Sequence, residues 1–331
     1  MTGDTAEPLL AIRDLRVAFA RDHEYSEAVR GISLQVEHGE VLGIVGESGS
    51  GKSVGMLSAL GLQPKAARVR GSVRFKGREL VGMPIRELRR LRGSRIAMIF
   101  QDPLSSLNPV MTVGAQIAET IFLHNPTVSK RAALRRAAEL LELVAIPQPD
   151  RRLHQFPHEF SGGMRQRVMI AMAVANDPDL LIADEPTTAL DVTVQAQIMT
   201  VLADLQKRLR LGLILITHDL GVVAGHADRV AVVYSGEIVE QASVDDLFER
   251  PRHPYTRGLI ASIPNMAEEK DRLFSIEGVP PALGRLPTGC AFHPRCPQAR
   301  PVCRTTAPAP QDFGHHRASC HFAAAPSEGA A

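Results

Sequence analysis

Eight residues carry the strongest chemical signal in this chain. Gly46-Glu47-Ser48-Gly49-Ser50-Gly51-Lys52-Ser53 sets two glycines around four residues and follows them with a lysine and a hydroxyl. Glycines there let backbone N–H groups turn toward nucleotide phosphates, the lysine reaches the β and γ phosphates, and the serine hydroxyl ligates Mg²⁺. Gly46, Ser48, Gly49, Gly51, Lys52 and Ser53 are therefore the expected phosphate cradle. A second candidate is Leu180-Leu181-Ile182-Ala183-Asp184-Glu185, an apolar run that ends in two carboxylates. Asp184 would hold magnesium through water, and Glu185 would polarise the attacking water. Third, all four cysteines (Cys290, Cys296, Cys303 and Cys320) stand near the end of the chain. Thiolates suit iron-sulfur clusters and zinc, but C-x5-C-x6-C-x16-C is neither a zinc-ribbon nor a ferredoxin spacing. Spacing alone identifies no metal, so a metal site, an iron-sulfur site and four reduced thiols all stay open.

These residues need a scaffold that holds them still. Val41 to Val45 reads as a buried strand entering the glycine loop, with a helical pattern after it. Alternation over Leu9 to Phe19 and Ala28 to Val36 predicts an antiparallel edge, and apolar runs return at Ile96 to Phe100, Leu180 to Ala183 and Leu213 to Ile216. With helical patterns between them, this is the rhythm of an α/β fold whose strands deliver ligands at their carboxyl ends. From Met111 to Ala145 the period becomes helical, and Leu134, Ala138, Leu141 and Ala145 form its expected apolar face. After about residue 275 prolines crowd in and periodicity disappears. The expected organisation is a body over 1–275, a helical subdomain over about 102–175, and a small irregular cysteine-bearing domain over 276–331, its tail from Ala323 frayed.

Composition removes other classes. The chain has 331 residues, 44% hydrophobic and 22% charged, which excludes disorder, collagen and a small disulfide scaffold. Its longest apolar runs fall well short of the ~20 residues that cross a bilayer. The start, MTGDTAEPLL, has no basic segment and no apolar signal core, so a cytoplasmic location is expected. A net charge of +2, no Trp and three Tyr argue against nucleic acid as a ligand. Between Lys65 and Arg95 stand eleven Lys or Arg against two Glu. That stretch reads as a solvated sheet face.

Between the loop and the paired carboxylates lies Phe160-Ser161-Gly162-Gly163-Met164-Arg165-Gln166-Arg167. It resembles the signature sequence of ATP-binding cassette proteins, with Phe160 and Met164 departing from the commonest form. Gln101, Ala189-Leu190-Asp191 and His218 follow the same family order. The resemblance implies two cassettes that sandwich two ATP molecules with Mg²⁺. Ser161, Gly162 and Gly163 would touch the γ-phosphate held by a partner, and Asp191 would reach across the interface. Gln101 would sense magnesium and water, Glu185 would act as base, and His218 would contact the γ-phosphate. Phe19 would stack on adenine, with Tyr25 the runner-up.

Within that family, His253-Pro-Tyr-Thr256, Gly289-Cys290 and His293-Pro-Arg-Cys296-Pro297 resemble the D-type ATPase of oligopeptide and dipeptide permeases. This implies a peripheral subunit at the cytoplasmic face of the membrane. Its partners would be a second ABC ATPase, two transmembrane permease subunits and an external solute-binding protein. The segment Asp102 to Leu107 would line the groove that receives a coupling helix. The resemblance also implies a [4Fe-4S] cluster on the four cysteines, with zinc the alternative. Import of nickel or another small solute, and a soluble nucleic-acid-handling ATPase, are the rival functions.

Overall fold

The computed structural model describes residues 7–21, 24–102, 106–188, 190–263 and 275–323. Among them the strands are β1 (Leu10–Arg21), β2 (Glu24–Val36), β3 (Val41–Val45), β4 (Arg68–Phe75), β5 (Arg78–Glu79), β6 (Ile96–Ile99), β7 (Leu180–Asp184), β8 (Gly212–Thr217), β9 (Arg229–Tyr234), β10 (Glu237–Ser243), β11 (Gln311–Phe313) and β12 (His316–Ala318). They fall into two compact units, one drawn from 1–10, 36–41 and 75–216, the other from 11–35, 42–74 and 217–331.

In the first unit β6, β7 and β8 run parallel, with Ile99 opposite Ala183 and Asp184 opposite Ile216. Every residue of β7 and β8 is buried, as a parallel sheet covered on both faces requires. Helix Val113–His124 starts on Thr112 and helix Lys130–Leu143 on Ser129, each hydroxyl accepting a first-turn N–H. The buried face of the second helix is Ala133, Ala137, Leu140 and Leu141. Leu141 belongs to the expected face, but Leu134 and Ala138 are only half-buried and Ala145 is exposed. Two adjacent apolar columns were available, and the one with small Ala133 and Ala137 lets the neighbouring helices approach. Ala145 lies beyond the helix end, at φ 57.

In the second unit β2, β1 and β4 are hydrogen-bonded neighbours in that order. β3 pairs parallel with β9, Val45 opposite Val232, and β9 pairs antiparallel with β10. The chain beyond 275 is less irregular than its prolines imply. Helix Pro301–Thr305 forms there, and β12 extends the edge of β10, with Glu240 opposite Ala318 and β11 on its other side. Strands of three residues are too short to display a period of two, which is why the sequence hides them. Among the described residues no helix is long and apolar enough to cross a membrane.

Candidate nucleotide site

In the second unit, β3 is buried throughout and runs straight into the glycine loop. Gly46 turns the chain at φ 153, where a Cβ would lie 2.2 Å from the Val233 carbonyl oxygen. Gly51, at φ 100, would put one 2.6 Å from the Ala28 carbonyl oxygen. Neither position admits a side chain. Helix Lys52–Ala59 then begins with no side chain capping its first-turn amides, whereas Thr112, Ser129, Ser161 and Asp191 all cap theirs. A helix start of this kind, with its positive end, suits an anion. Lys52 is buried, and its Nζ donates to the carbonyl oxygens of Gly46 at 2.6 Å and Glu47 at 2.9 Å. Ser48 and Gly49 are exposed at the crest of the loop, Ser53 is half-buried, and the buried Ser50 Oγ has no partner among the described residues. Uncapped amides, a lysine folded over the loop and an unsatisfied hydroxyl suit a chain of phosphates.

The first unit presents the carboxylates. Asp184 ends β7 and is buried. Glu185 follows at φ 47, a left-handed backbone uncommon for a residue with a side chain, and its N–H donates to the Ile216 carbonyl at 2.9 Å. Its Oε2 accepts from Gln101 Nε2 at 2.9 Å and from Thr188 Oγ1 at 2.8 Å. The structure thus brings Gln101 and Glu185 together and adds Thr188, which sequence reasoning missed. The available signal was its place three residues after Glu185, within reach across one turn.

The signature residues also lie in the first unit. Ser161 caps helix Gly162–Ala173, its Oγ accepting the Met164 N–H at 3.4 Å. A Cβ on Gly163 would come 2.5 Å from Val194 Cγ1, so glycine is required for this close approach. Phe160 is buried, with the Arg152 guanidinium 5.6 Å from its ring centroid. Asp191 caps helix Val192–Leu209, its Oδ1 accepting the Val194 N–H at 3.0 Å. Ala189, and residues 103–105 of the expected coupling groove, lie outside the described residues. In the second unit His218 is exposed directly after β8, and Phe19 is half-buried on β1. Arg68 stands 3.5 Å over the ring of Tyr25 and occupies one face of that runner-up.

The cysteines require a correction. All four line one pocket with Phe292, Phe322 and Pro308, and none is in a disulfide. Yet among the described residues no three His, Cys, Asp or Glu side chains come together as a group that could hold a metal ion. Burial pushes the thiols of Cys290, Cys296 and Cys320 up, Cys296 to about 11. Without such a group among the described residues, the expected [4Fe-4S] cluster and the zinc alternative are not supported.

The His253-Pro-Tyr-Thr256 motif is a structural knot. His253 caps helix Pro254–Ala261, its Nδ1 accepting the Tyr255 N–H at 3.1 Å. Fully buried Glu240 accepts the N–H groups of Arg252 at 2.6 Å and His253 at 2.9 Å, and pairs with His316 Nε2 at 2.7 Å. Burial alone would raise the Glu240 pKa. The hydrogen bonds from His316 and the two amides, with the nearby Thr256 hydroxyl, outweigh it and carry the carboxyl below its ordinary range.

A phosphate loop after a buried parallel strand, a strand ending in paired carboxylates and a serine-capped signature helix define a P-loop nucleotide-binding protein of the cassette class. Comparison with known proteins gives the branch. The ABC transporter family matches residues 29–188, and the oligopeptide/dipeptide transporter C-terminal region matches residues 239–303. The oligopeptide transport ATP-binding protein of Mycobacterium tuberculosis is 55% identical over 315 residues, covering 95% of this chain and 52% of that protein. This chain thus spans about half the length of that relative. The dipeptide transport ATP-binding protein of Haemophilus influenzae is 51% identical, with 95% of each chain covered. Among solved structures, a dimeric ATP-binding cassette in a post-hydrolysis state with ADP and phosphate is 28% identical at a TM-score of 0.63, covering 71% of this chain and 98% of that one. The chain belongs to the ABC transporter family of ATP-binding proteins, in its oligopeptide/dipeptide branch.

Proposed function

We propose that this chain is the ATP-hydrolysing subunit that energises import of oligopeptides or dipeptides. The observation that carries the ATPase reading is the Glu185 carboxylate, held by Gln101 and Thr188 where β7 ends. The C-terminal region at residues 239–303 supports peptides as the cargo.

Bound ATP with Mg²⁺ supplies the transferable phosphoryl group and the charge that neutralises it. The amides from Gly46 to Gly51, with Ser48 and Gly49 at the crest, bind the phosphates, and Lys52 leaves its loop carbonyls to reach them. Ser53, Asp184 and Gln101 are the residues that would hold the magnesium. Glu185 takes the proton of the attacking water on its carboxylate, which Gln101 and Thr188 keep aimed. His218 contacts the γ-phosphate and Phe19 stacks on the base. Ser161, Gly162, Gly163 and Asp191 act on the nucleotide of a second ATPase subunit, so hydrolysis needs the pair. Two transmembrane permease subunits and a solute-binding protein complete the assembly, with this chain peripheral at the cytoplasmic face of the membrane. Within the chain, 1–275 is the ATPase body, with a helical subdomain near 102–175, and 276–331 is the extension.

Co-purification with the permease subunits, reconstitution and ATPase assay test this reading. Stimulation by peptide-loaded binding protein is expected. Stimulation by nickel or by nucleic acid, with none by peptides, would overturn the cargo assignment.

A further inference from the structure

The phosphate loop carries a negative charge of its own. Position 47, which the motif leaves open, is a glutamate next to Gly46, inside the phosphate-binding loop. That carboxylate is gripped from a site 248 residues away. Arg295 Nη1 donates to Glu47 Oε2 at 2.7 Å and Arg295 Nη2 to Oε1 at 2.8 Å, a two-pronged fork. The Arg295 side chain is only 4% exposed. Its Nε donates to the Glu277 carbonyl at 3.0 Å, and the guanidinium also reaches the Tyr234 hydroxyl at 3.4 Å. The rings of Tyr234, Tyr255 and Phe292 form its wall, with centroids 4.7 to 5.4 Å apart.

The grip extends to the backbone. The Glu47 N–H donates to the Tyr255 hydroxyl at 2.9 Å, and the Glu47 carbonyl receives Lys52 Nζ at 2.9 Å. A chain of contacts therefore runs from Arg295 through Glu47 to the phosphate-binding lysine. Arg295 and Tyr255 both fall within the matched C-terminal region, so this region builds part of the loop's support. We propose that Arg295 is a positioning residue of the phosphate loop. It neutralises and pins Glu47, and so makes nucleotide affinity depend on how the C-terminal segment is seated. A lysine would supply the charge but not the fork.

This inference rests on the nucleotide reading of the loop, and the test separates the two. ADP binding to the full-length chain is measured by calorimetry for the wild type, Lys52→Ala, Arg295→Met, Arg295→Lys, Glu47→Gln and the Arg295→Met/Glu47→Gln double variant. Arg295→Met should weaken ADP binding about tenfold, the size of one lost charge-assisted contact. Arg295→Lys should recover part of the loss. Adding Glu47→Gln to Arg295→Met should restore affinity to within about threefold of wild type, because the unpaired charge is gone. If Lys52→Ala abolishes binding while Arg295→Met binds normally, the proposal fails and the loop reading stands. If Lys52→Ala binds normally, the loop reading fails first. A double variant as weak as Arg295→Met would mean that the aromatic wall, not Glu47, was lost, and would overturn the proposal. Should Arg295→Met not fold, Glu47→Gln removes the same fork from the loop side. Amide exchange across 46–53 should then quicken, and unchanged exchange there overturns the proposal.

Discussion

His253 makes folding stability depend on pH in a direction that can be worked out. The ring is buried, and its Nδ1 accepts the Tyr255 N–H at 3.1 Å, which requires a lone pair there and places the proton on Nε2. Burial pushes its pKa down from 6.5 to about 4; nearby Glu240 pulls the other way without compensating, and Arg257 adds to the drop. Between those values the unfolded chain binds a proton that the folded chain refuses. Stability is therefore fully present above pH 6.5 and is lost as pH falls toward about 4. A drop of this size is worth about 3 kcal/mol at most, a large share of a typical folding free energy. His253→Asn is the informative perturbation, since Asn Oδ1 can keep the cap on Tyr255 but cannot titrate. Urea unfolding followed by near-UV circular dichroism suits the assay, because two of the three tyrosines, Tyr234 and Tyr255, stand in the same aromatic cluster. From neutral pH down to about pH 4, the wild type should lose about 3 kcal/mol more than the variant. Parallel stability curves for the two proteins would refute the argument.

In the assembled transporter, Glu185→Gln should retain nucleotide binding and lose about 10²-fold or more in turnover, and near-normal turnover with a silent partner site would remove it as the base. Thr188→Val, which deletes the Thr188 donor to Glu185 Oε2, should lower turnover by a smaller factor with nucleotide affinity unchanged, read from kcat against KM. Gly46→Ala would drive a methyl into the Val233 carbonyl, and denaturant titration should show a loss on the order of 2 kcal/mol together with weakened ADP binding. Asp191→Ala removes the cap of helix Val192–Leu209 and should cost about 1 kcal/mol in the same assay.

Much of the nucleotide site could be read from the sequence because its parts are local. A phosphate loop needs glycines and a lysine within eight residues of one another, and a buried strand leads into it; both are properties of a short window. The same holds for β7, whose five buried residues end on Asp184. Periodicity was a weaker guide where two apolar columns lay side by side. In helix Lys130–Leu143 the column containing Ala133 and Ala137 was chosen by the neighbouring helices, a fact that no single helix encodes. The short strands β11 and β12 escaped notice because hydrogen bonding to β10 makes them strands, and their own three residues each do not.

The cysteines and Glu47 show the limit from opposite sides. Four thiols near one another in sequence invite a metal, but ligation depends on how many converge and whether they are thiolates. Among the described residues no three such side chains come together as a group that could hold a metal ion, which spacing along the chain does not reveal. Glu47, by contrast, sits in a position where the motif accepts any residue, so nothing nearby marks it. Its meaning comes from Arg295, and only the pairing of β3 with β9, followed by the aromatic wall on Tyr234, brings that guanidinium to the loop. A carboxylate beside a phosphate site is a cost unless something cancels it, and here the cancelling charge is held by a segment far along the chain. The looser the motif at a position, the more its role depends on tertiary partners, and position 47 is where a search by spacing alone passes over the contact.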